Sequence, residues 1–249
     1  MITISPGHWT VGTGARDIID EVTEARKVAK RVVAILREGG VQANYIEDNV
    51  SKNQQQNLTY LVNEHKKTSR KLDVSVHFNA STGRQQRAIG TEVLYKGGAL
   101  KALSSKLSGV MANAMDVPNR GAKYRDNLYF LNSLPQSILL EVCFVNSVSD
   151  VVGYNEHFEA LCQAIATELA LHVGVKLNEK KVRTMEFSSP ALKNETETTL
   201  ASAARRKMIV EAAIEAGANK EVWMAKLENK TITNDDLLGL AAKAIVDSK

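Results

Sequence analysis

Apolar positions along the first three-quarters of the chain switch between two periods. From Glu21 to Arg37 they recur at Val22, Ala25, Val28, Ala29, Val32, Val33 and Leu36, the i, i+3, i+4, i+7 spacing of a helix with one buried stripe. Gly39-Gly40 ends it. Short β-like runs lie on either side: Met1–Ser5, broken at Pro6-Gly7, then Val41–Ile46, Leu72–Phe78, Ala88–Tyr95, Leu128–Leu131 and Ile138–Phe144. The last is apolar on both faces, which predicts a central strand. Further helices are predicted over Asn53–Ser69, as a solvated helix, over Leu100–Met115, and over Phe158–Val173. Strands interleaved with helices predict an α/β fold, a mixed twisted sheet flanked by helices.

Around Lys176 the pattern changes. Residues 176–199 are polar, carry Ser-Ser-Pro and lack periodicity, so they read as a linker between a larger α/β domain over 1–175 and a small all-α domain over 200–249. That last segment holds three helical patterns. One runs through Met208, Ile209, Ala212 and Ala213 to Gly217, and the next carries Val222, Trp223, Met224 and Leu227. The third opens at the cap-rich Thr233-Asn234-Asp235-Asp236. About fifty residues make a marginal core, which points to self-association or support from the main domain.

Composition adds exclusions. Hydrophobic residues at 44% and charged residues at 24% are ordinary for a globular chain with a real core. A net charge of +4 spread over 249 residues, without Lys/Arg runs interleaved with aromatics, gives no nucleic-acid footprint. Cys143 and Cys162 each sit in an apolar stretch and read as buried thiols, not a disulfide framework. The opening MITISPGH lacks the regions of a signal peptide and no apolar run reaches transmembrane length. The expectation is synthesis in the cytoplasm, no membrane insertion, and release by some other route for any substrate outside.

Two of the five histidines occupy telling places. His8 follows the first strand, and His77 ends the strand Leu72–Phe78 in the string SVHFNAS. Residues at the C-terminal ends of strands in open α/β sheets face the ligand crevice. Two imidazoles there, with a carboxylate from Asp20, Glu21 or Glu24 at the start of the next helix, make a candidate open zinc site. Spacing alone leaves this beside the alternative of hydrogen-bonded structural histidines. His65 and His157 read as surface residues, and His172 as a favourable helix C-terminal residue.

The ordered blocks GHWTVGTGA, IIDEVTEARKVAKRVVAILREGG, DVSVHFNAS, GTEVLY, NRGAK, LYFLN and ILLEVCFVN resemble the zinc-dependent N-acetylmuramoyl-L-alanine amidases (amidase type 3) of phage endolysins and bacterial autolysins, over about residues 1–175. The resemblance implies Zn2+ held by His8, Glu21 and His77, with Glu24, one turn on, as the alternative to Glu21. It implies Glu141 as the catalytic carboxylate. Such a site keeps one position for water, and a carboxylate beside it carries the proton. Glu141 lies among Ile138, Leu139, Leu140, Val142 and Phe144, so desolvation should raise its pKa. Asn79, Arg120 and Lys123 are candidate substrate contacts, with a solvated turn as the other reading of Asn119–Lys123, and Trp9 is either a rim or a core aromatic. The blocks after His8 run shorter to the helix than is usual in the family.

The implied activity is hydrolysis of the amide between N-acetylmuramic acid and L-alanine in peptidoglycan, by a bacteriolytic phage or prophage endolysin acting on the cell wall after release. The C-terminal unit is expected to bind a secondary wall polymer or to drive homo-oligomerisation. The alternatives are a catalytically silent wall-binding module and a cytosolic zinc peptidase.

Overall fold

The computed structural model describes residues 1–177, 198–200, 202–229 and 232–247. Its first compact unit, Met1–Asn178, is built on a six-stranded sheet. The strands are β1 (Ile2–Pro6), β2 (Ala43–Tyr45), β3 (Leu72–Asn79), β4 (Thr91–Tyr95), β5 (Asn119–Tyr124) and β6 (Ser137–Phe144). They run in the order β2-β1-β3-β6-β4-β5. All neighbours pair in parallel except β4 and β6, which are antiparallel, so the sheet is mixed. β6 lies inside the sheet between β3 and β4, in keeping with its apolar residues on both faces.

The helices of this unit are α1 (Glu21–Glu38), α2 (Gln54–Lys66), α3 (Lys101–Met115), α4 (Tyr129–Ser133), α5 (Val148–Glu156) and α6 (Phe158–His172). α1 starts where the Asp20 carboxylate accepts the Thr23 N–H at 2.9 Å, an N-cap, and stops at Gly39. Its predicted stripe is buried throughout. Each such Val or Leu contributes roughly 1.5–3 kcal/mol through burial.

The alternation of side chains along a strand divides the sheet into unlike faces. One face carries Ile2, Ile4, Leu72, Val74, Val76, Ile138, Leu140, Val142 and Val93, packed with residues of α1, α3 and α6 into the main core. The other carries buried polar groups, among them Thr3, Ser5, Asp73, Ser75 and Ser137. Over this second face lies a smaller apolar cluster of Val62, Leu94, Phe130, Leu131, Leu134 and Leu139, drawn from α2, α4 and the sheet.

Three expectations are corrected. Leu128–Leu131 is not a strand: Tyr129–Ser133 forms the short helix α4, which buries Phe130 and Leu131. The segment around Asn119–Lys123 is not a free turn but the edge strand β5. His65 is fully buried, because α2 is not solvated on all sides and buries Asn57, Leu61, Val62 and His65 along one side. Its Nδ1 pairs with Asp73 Oδ1 at 2.8 Å and its Nε2 with Ser5 Oγ at 3.0 Å, so both ring nitrogens are satisfied beneath the helix. His157 and His172 are exposed, and Cys143 and Cys162 are buried free thiols.

The second compact unit, Glu179–Lys249, contains α7 (Ala203–Glu215), α8 (Lys220–Glu228) and α9 (Asn234–Asp247). Leu200, Val210, Ala213, Ile232, Leu237 and Leu240 form its core, with Trp223 and Met224 packed on it. Apart from its ends, the polar stretch read as a linker over 176–199 lies outside the described residues.

Candidate metal centre

β1 ends at Pro6, and the chain leaves it through Gly7 and His8. Gly7 leaves room for an imidazole: a Cβ there would stand 2.0 Å from His77 Cε1. His8 takes a φ of +63°, a left-handed conformation that costs a non-glycine residue about 1–2 kcal/mol. Gly14 has the same spatial role as Gly7, since a Cβ on it would come within 2.6 Å of Glu21 Oε2 and 2.8 Å of His8 Cδ2. Two glycines thus open the space that three side chains fill.

Those side chains are His8, Glu21 and His77. Glu21 Oε2 lies 3.2 Å from His8 Nε2 and Glu21 Oε1 lies 2.9 Å from His77 Nδ1, so one carboxylate bridges both rings. The ring centroids are 5.3 Å apart at a steep angle. One ligand atom from each residue falls within 4.8 Å of the other two. Glu21, only 3% exposed, also accepts the N–H of Ala15 at 2.6 Å and of Phe78 at 3.1 Å. Burial by itself would raise the Glu21 carboxyl. The hydrogen bonds from His77 and His8 outweigh it and hold the group well below the usual carboxylate range. Glu24 is turned elsewhere, accepting Tyr154 Oη–H at 2.8 Å and Lys27 Nζ at 2.8 Å. Asp20 is occupied as the N-cap.

Sheet register extends the site sideways. Glu141 on β6 is directly opposite His77 on β3, and Glu92 on β4 is directly opposite Glu141. The three side chains therefore stand in a row on the polar face. Glu141 Oε2 is buried and has no hydrogen-bond partner. Desolvation, with the nearby charges of Glu21 and Glu92, pushes the Glu141 carboxyl up to about 8. Glu92 was not singled out by the sequence reading. Its Oε2 accepts Arg120 Nε at 2.8 Å and its Oε1 accepts Asn79 Nδ2 at 3.4 Å. Arg120 also stacks over Phe144, 5.1 Å from the ring centroid. Asn79 and Arg120 thus join the row through Glu92. Lys123, half-buried opposite Leu94, makes no such link. Trp9 is half-buried, and its carbonyl accepts Arg26 Nη2 at 2.7 Å.

The donor set fits a borderline cation such as zinc: two imidazole nitrogens and one carboxylate, with Glu141 alongside and not engaged by the cluster.

Comparison with known proteins places the chain among others of the same fold. A family model described as N-acetylmuramoyl-L-alanine amidase matches residues 2–171. An uncharacterized protein of Clostridium perfringens (strain 13 / Type A) is 29% identical over 186 residues, covering 73% of this chain and 52% of its own length. A second from Clostridium perfringens, of 38.4 kDa, is 29% identical over 158 residues, covering 62% of this chain and 46% of its own length. The chain therefore spans about half the length of these relatives. Among solved structures, the catalytic domain of the CD27L endolysin targeting Clostridia difficile superposes with a TM-score of 0.62 at 23% identity, covering 71% of this chain and 98% of that one. The amidase AmiC2 of Nostoc punctiforme gives 0.59 at 26% identity, covering 69% and 96%.

Proposed function

The chain belongs to the N-acetylmuramoyl-L-alanine amidase family, and from that premise we propose that it hydrolyses the amide joining the lactyl group of N-acetylmuramic acid to the L-alanine of the peptidoglycan stem, as a zinc enzyme. The observation that carries this reading is the convergence of His8, Glu21 and His77 within 4.8 Å, with the unpartnered Glu141 Oε2 in register beside His77.

His8, Glu21 and His77 would hold the ion, which would supply Lewis acidity toward water and the amide carbonyl. Glu141 takes the proton from the attacking water on its free Oε2 and delivers it to the departing L-alanine nitrogen. A new C–O bond replaces the C–N bond, and the carboxylate ends the cycle as it began. A carboxyl poised near neutrality suits both transfers. Asn79 and Arg120, tied to Glu92 two strands from the cluster, and Lys123 on the same edge strand as Arg120, are the substrate-contacting groups of this reading. A substrate carboxylate suits the guanidinium of Arg120.

For the biological role we propose a phage or prophage endolysin, in keeping with an amidase unit followed by a separate helical unit. The helical unit is assigned to binding a secondary wall polymer, with self-association as the other use. Among the described residues no helix is long and apolar enough to cross a membrane.

The test is the mass of the fragments released from purified peptidoglycan, with and without a chelator. Release of stem peptides with a free L-alanine amino group, lost on chelation and restored by zinc, is expected. Fragments cut at another bond would refute the assignment, and wall binding without release would make the chain a silent binding module.

A further inference from the structure

A second buried polar assembly lies behind the loop that carries His8. Its centre is Asp48, fully buried, whose Oδ1 accepts the N–H groups of Val50 and Ser51 at 2.9 and 3.0 Å. Asp48 Oδ2 accepts Asn57 Nδ2 at 2.9 Å, and that same nitrogen donates to the main-chain carbonyl of His8 at 3.1 Å. Asn57 is itself buried on α2. From the other side comes Arg26 of α1, the helix that also supplies Glu21. Its Nη2 donates to the carbonyl of Trp9 at 2.7 Å and to that of Asp48 at 3.0 Å.

Two costs converge on this loop. His8 is held in the left-handed region, and the Arg26 Nε is buried with no partner while its Nη2 serves the carbonyls. Local strain and an orphaned donor persist only where the surroundings over-determine them, and they gather where geometry serves function. The carbonyls seized are those of His8 and its successor, so the clamp fixes the main chain from which the His8 imidazole is directed at Glu21.

We infer that Asn57 and Arg26 are positioning residues for the metal: they hold the His8 main chain in its left-handed turn and thereby set the affinity of the His8–Glu21–His77 cluster for zinc. This rests on the zinc reading above. Neither residue hydrogen-bonds to a ligand side chain, so they act through the backbone. Without the Asn57 amide the turn is free to relax to φ below zero, and the imidazole leaves the cluster.

The experiment is competition of the full-length protein with a chromogenic chelator for Zn2+, alongside thermal melts with and without the ion. Asn57→Ala is expected to weaken zinc binding about 10–100-fold, the range seen when groups orienting metal ligands are removed, and to shrink the rise in Tm that zinc produces. Arg26→Lys keeps the charge near the surface and the fold, loses the multiple acceptors, and should show the same change to a lesser degree. Variants that bind zinc as the parent does, even with a lower metal-free Tm, would make Asn57 and Arg26 scaffold alone and overturn the inference. A parent protein that takes up no zinc would instead overturn the metal reading beneath it.

Discussion

Glu141 on β6 stands directly opposite His77 on the parallel neighbour β3, which places an unengaged carboxylate beside a side chain whose other neighbour is Glu21. Parallel pairing fixes that proximity through the backbone, so side-chain changes at Glu141 should leave the cluster intact. Glu141→Ala and Glu141→Gln are therefore expected to keep the parent zinc content and lose about 10²–10⁴-fold in amino-group release from peptidoglycan, the usual worth of a general acid–base. Loss of zinc in Glu141→Gln would show instead that Glu141 belongs to the ligand set.

The raised Glu141 carboxyl also sets a pH dependence for the metal-free protein. The folded state holds this proton up to about pH 8, whereas an unfolded glutamate releases it near 4.5. Between those values the folded state binds more protons, so stability is greatest at the acid end and falls as pH rises, by up to about 1.4 kcal/mol per pH unit. Denaturant melts of the chelated protein at pH 5 and pH 8 measure this, and Glu141→Gln should lose that part of the slope. Glu21 works oppositely and lower: its depressed carboxyl contributes stability above about 4.5 that is lost on acidification below it.

Glu21 and Glu24 differ by one helical turn and should separate cleanly. Glu21→Gln removes the carboxylate that bridges the two rings of the cluster and is expected to abolish stoichiometric zinc, read by elemental analysis of dialysed protein. Glu24→Gln should retain zinc and lose about 1–2 kcal/mol of stability, because it weakens a buried hydrogen bond with Tyr154 and an ion pair with Lys27. Zinc lost from the second variant and kept by the first would reverse the assignment.

His65→Ala should destabilise without touching the metal. It leaves Asp73 and Ser5 short of partners in a buried setting and opens a cavity under α2. A loss of about 2–4 kcal/mol is expected in equilibrium unfolding, with equilibrium zinc affinity near the parent value and, since α2 opens more often, faster release of the ion.

Much of this was legible in the sequence, for physical reasons that differ by residue. The stripe from Val22 to Leu36 could only be a helix against a core, and the apolar Ile138–Phe144 could only be an inner strand. Strand ends and a helix start point to His8, His77 and a carboxylate from Asp20, Glu21 or Glu24, whereas the choice of Glu21 and the role of Glu141 come from the resemblance to the amidases. Glu92 carries the same signal as Glu141, an acid within the apolar run TEVLY, but no resemblance block assigns it a role. His65 was hidden by its charged neighbours Glu64, Lys66 and Lys67, although its spacing from Leu61 puts both on one helical face. Tyr129–Ser133 is too short for periodicity to distinguish helix from strand. The edge strand β5 is polar and half-exposed because it is held by backbone pairing to β4 and by Ser108 of α3, which bonds Asn119 and the Gly121 N–H, with Ala122 packed against the core.

The unlike faces of the sheet carry a kinetic consequence. Beneath α1, α3 and α6 lies the large core, while α2 and α4 are kept in place by one small cluster and a few polar pairings. Their amides should therefore exchange with solvent through partial openings of lower free energy than those that release α1 or β6, as native-state hydrogen exchange would register. Asn57 rides on α2, so each such opening also lets go of the His8 carbonyl. On the zinc reading, the looser cover of this sheet is in this way the one fastened to the candidate metal-binding loop, and the residence time of the ion should follow the breathing of a helix that supplies none of the ligands.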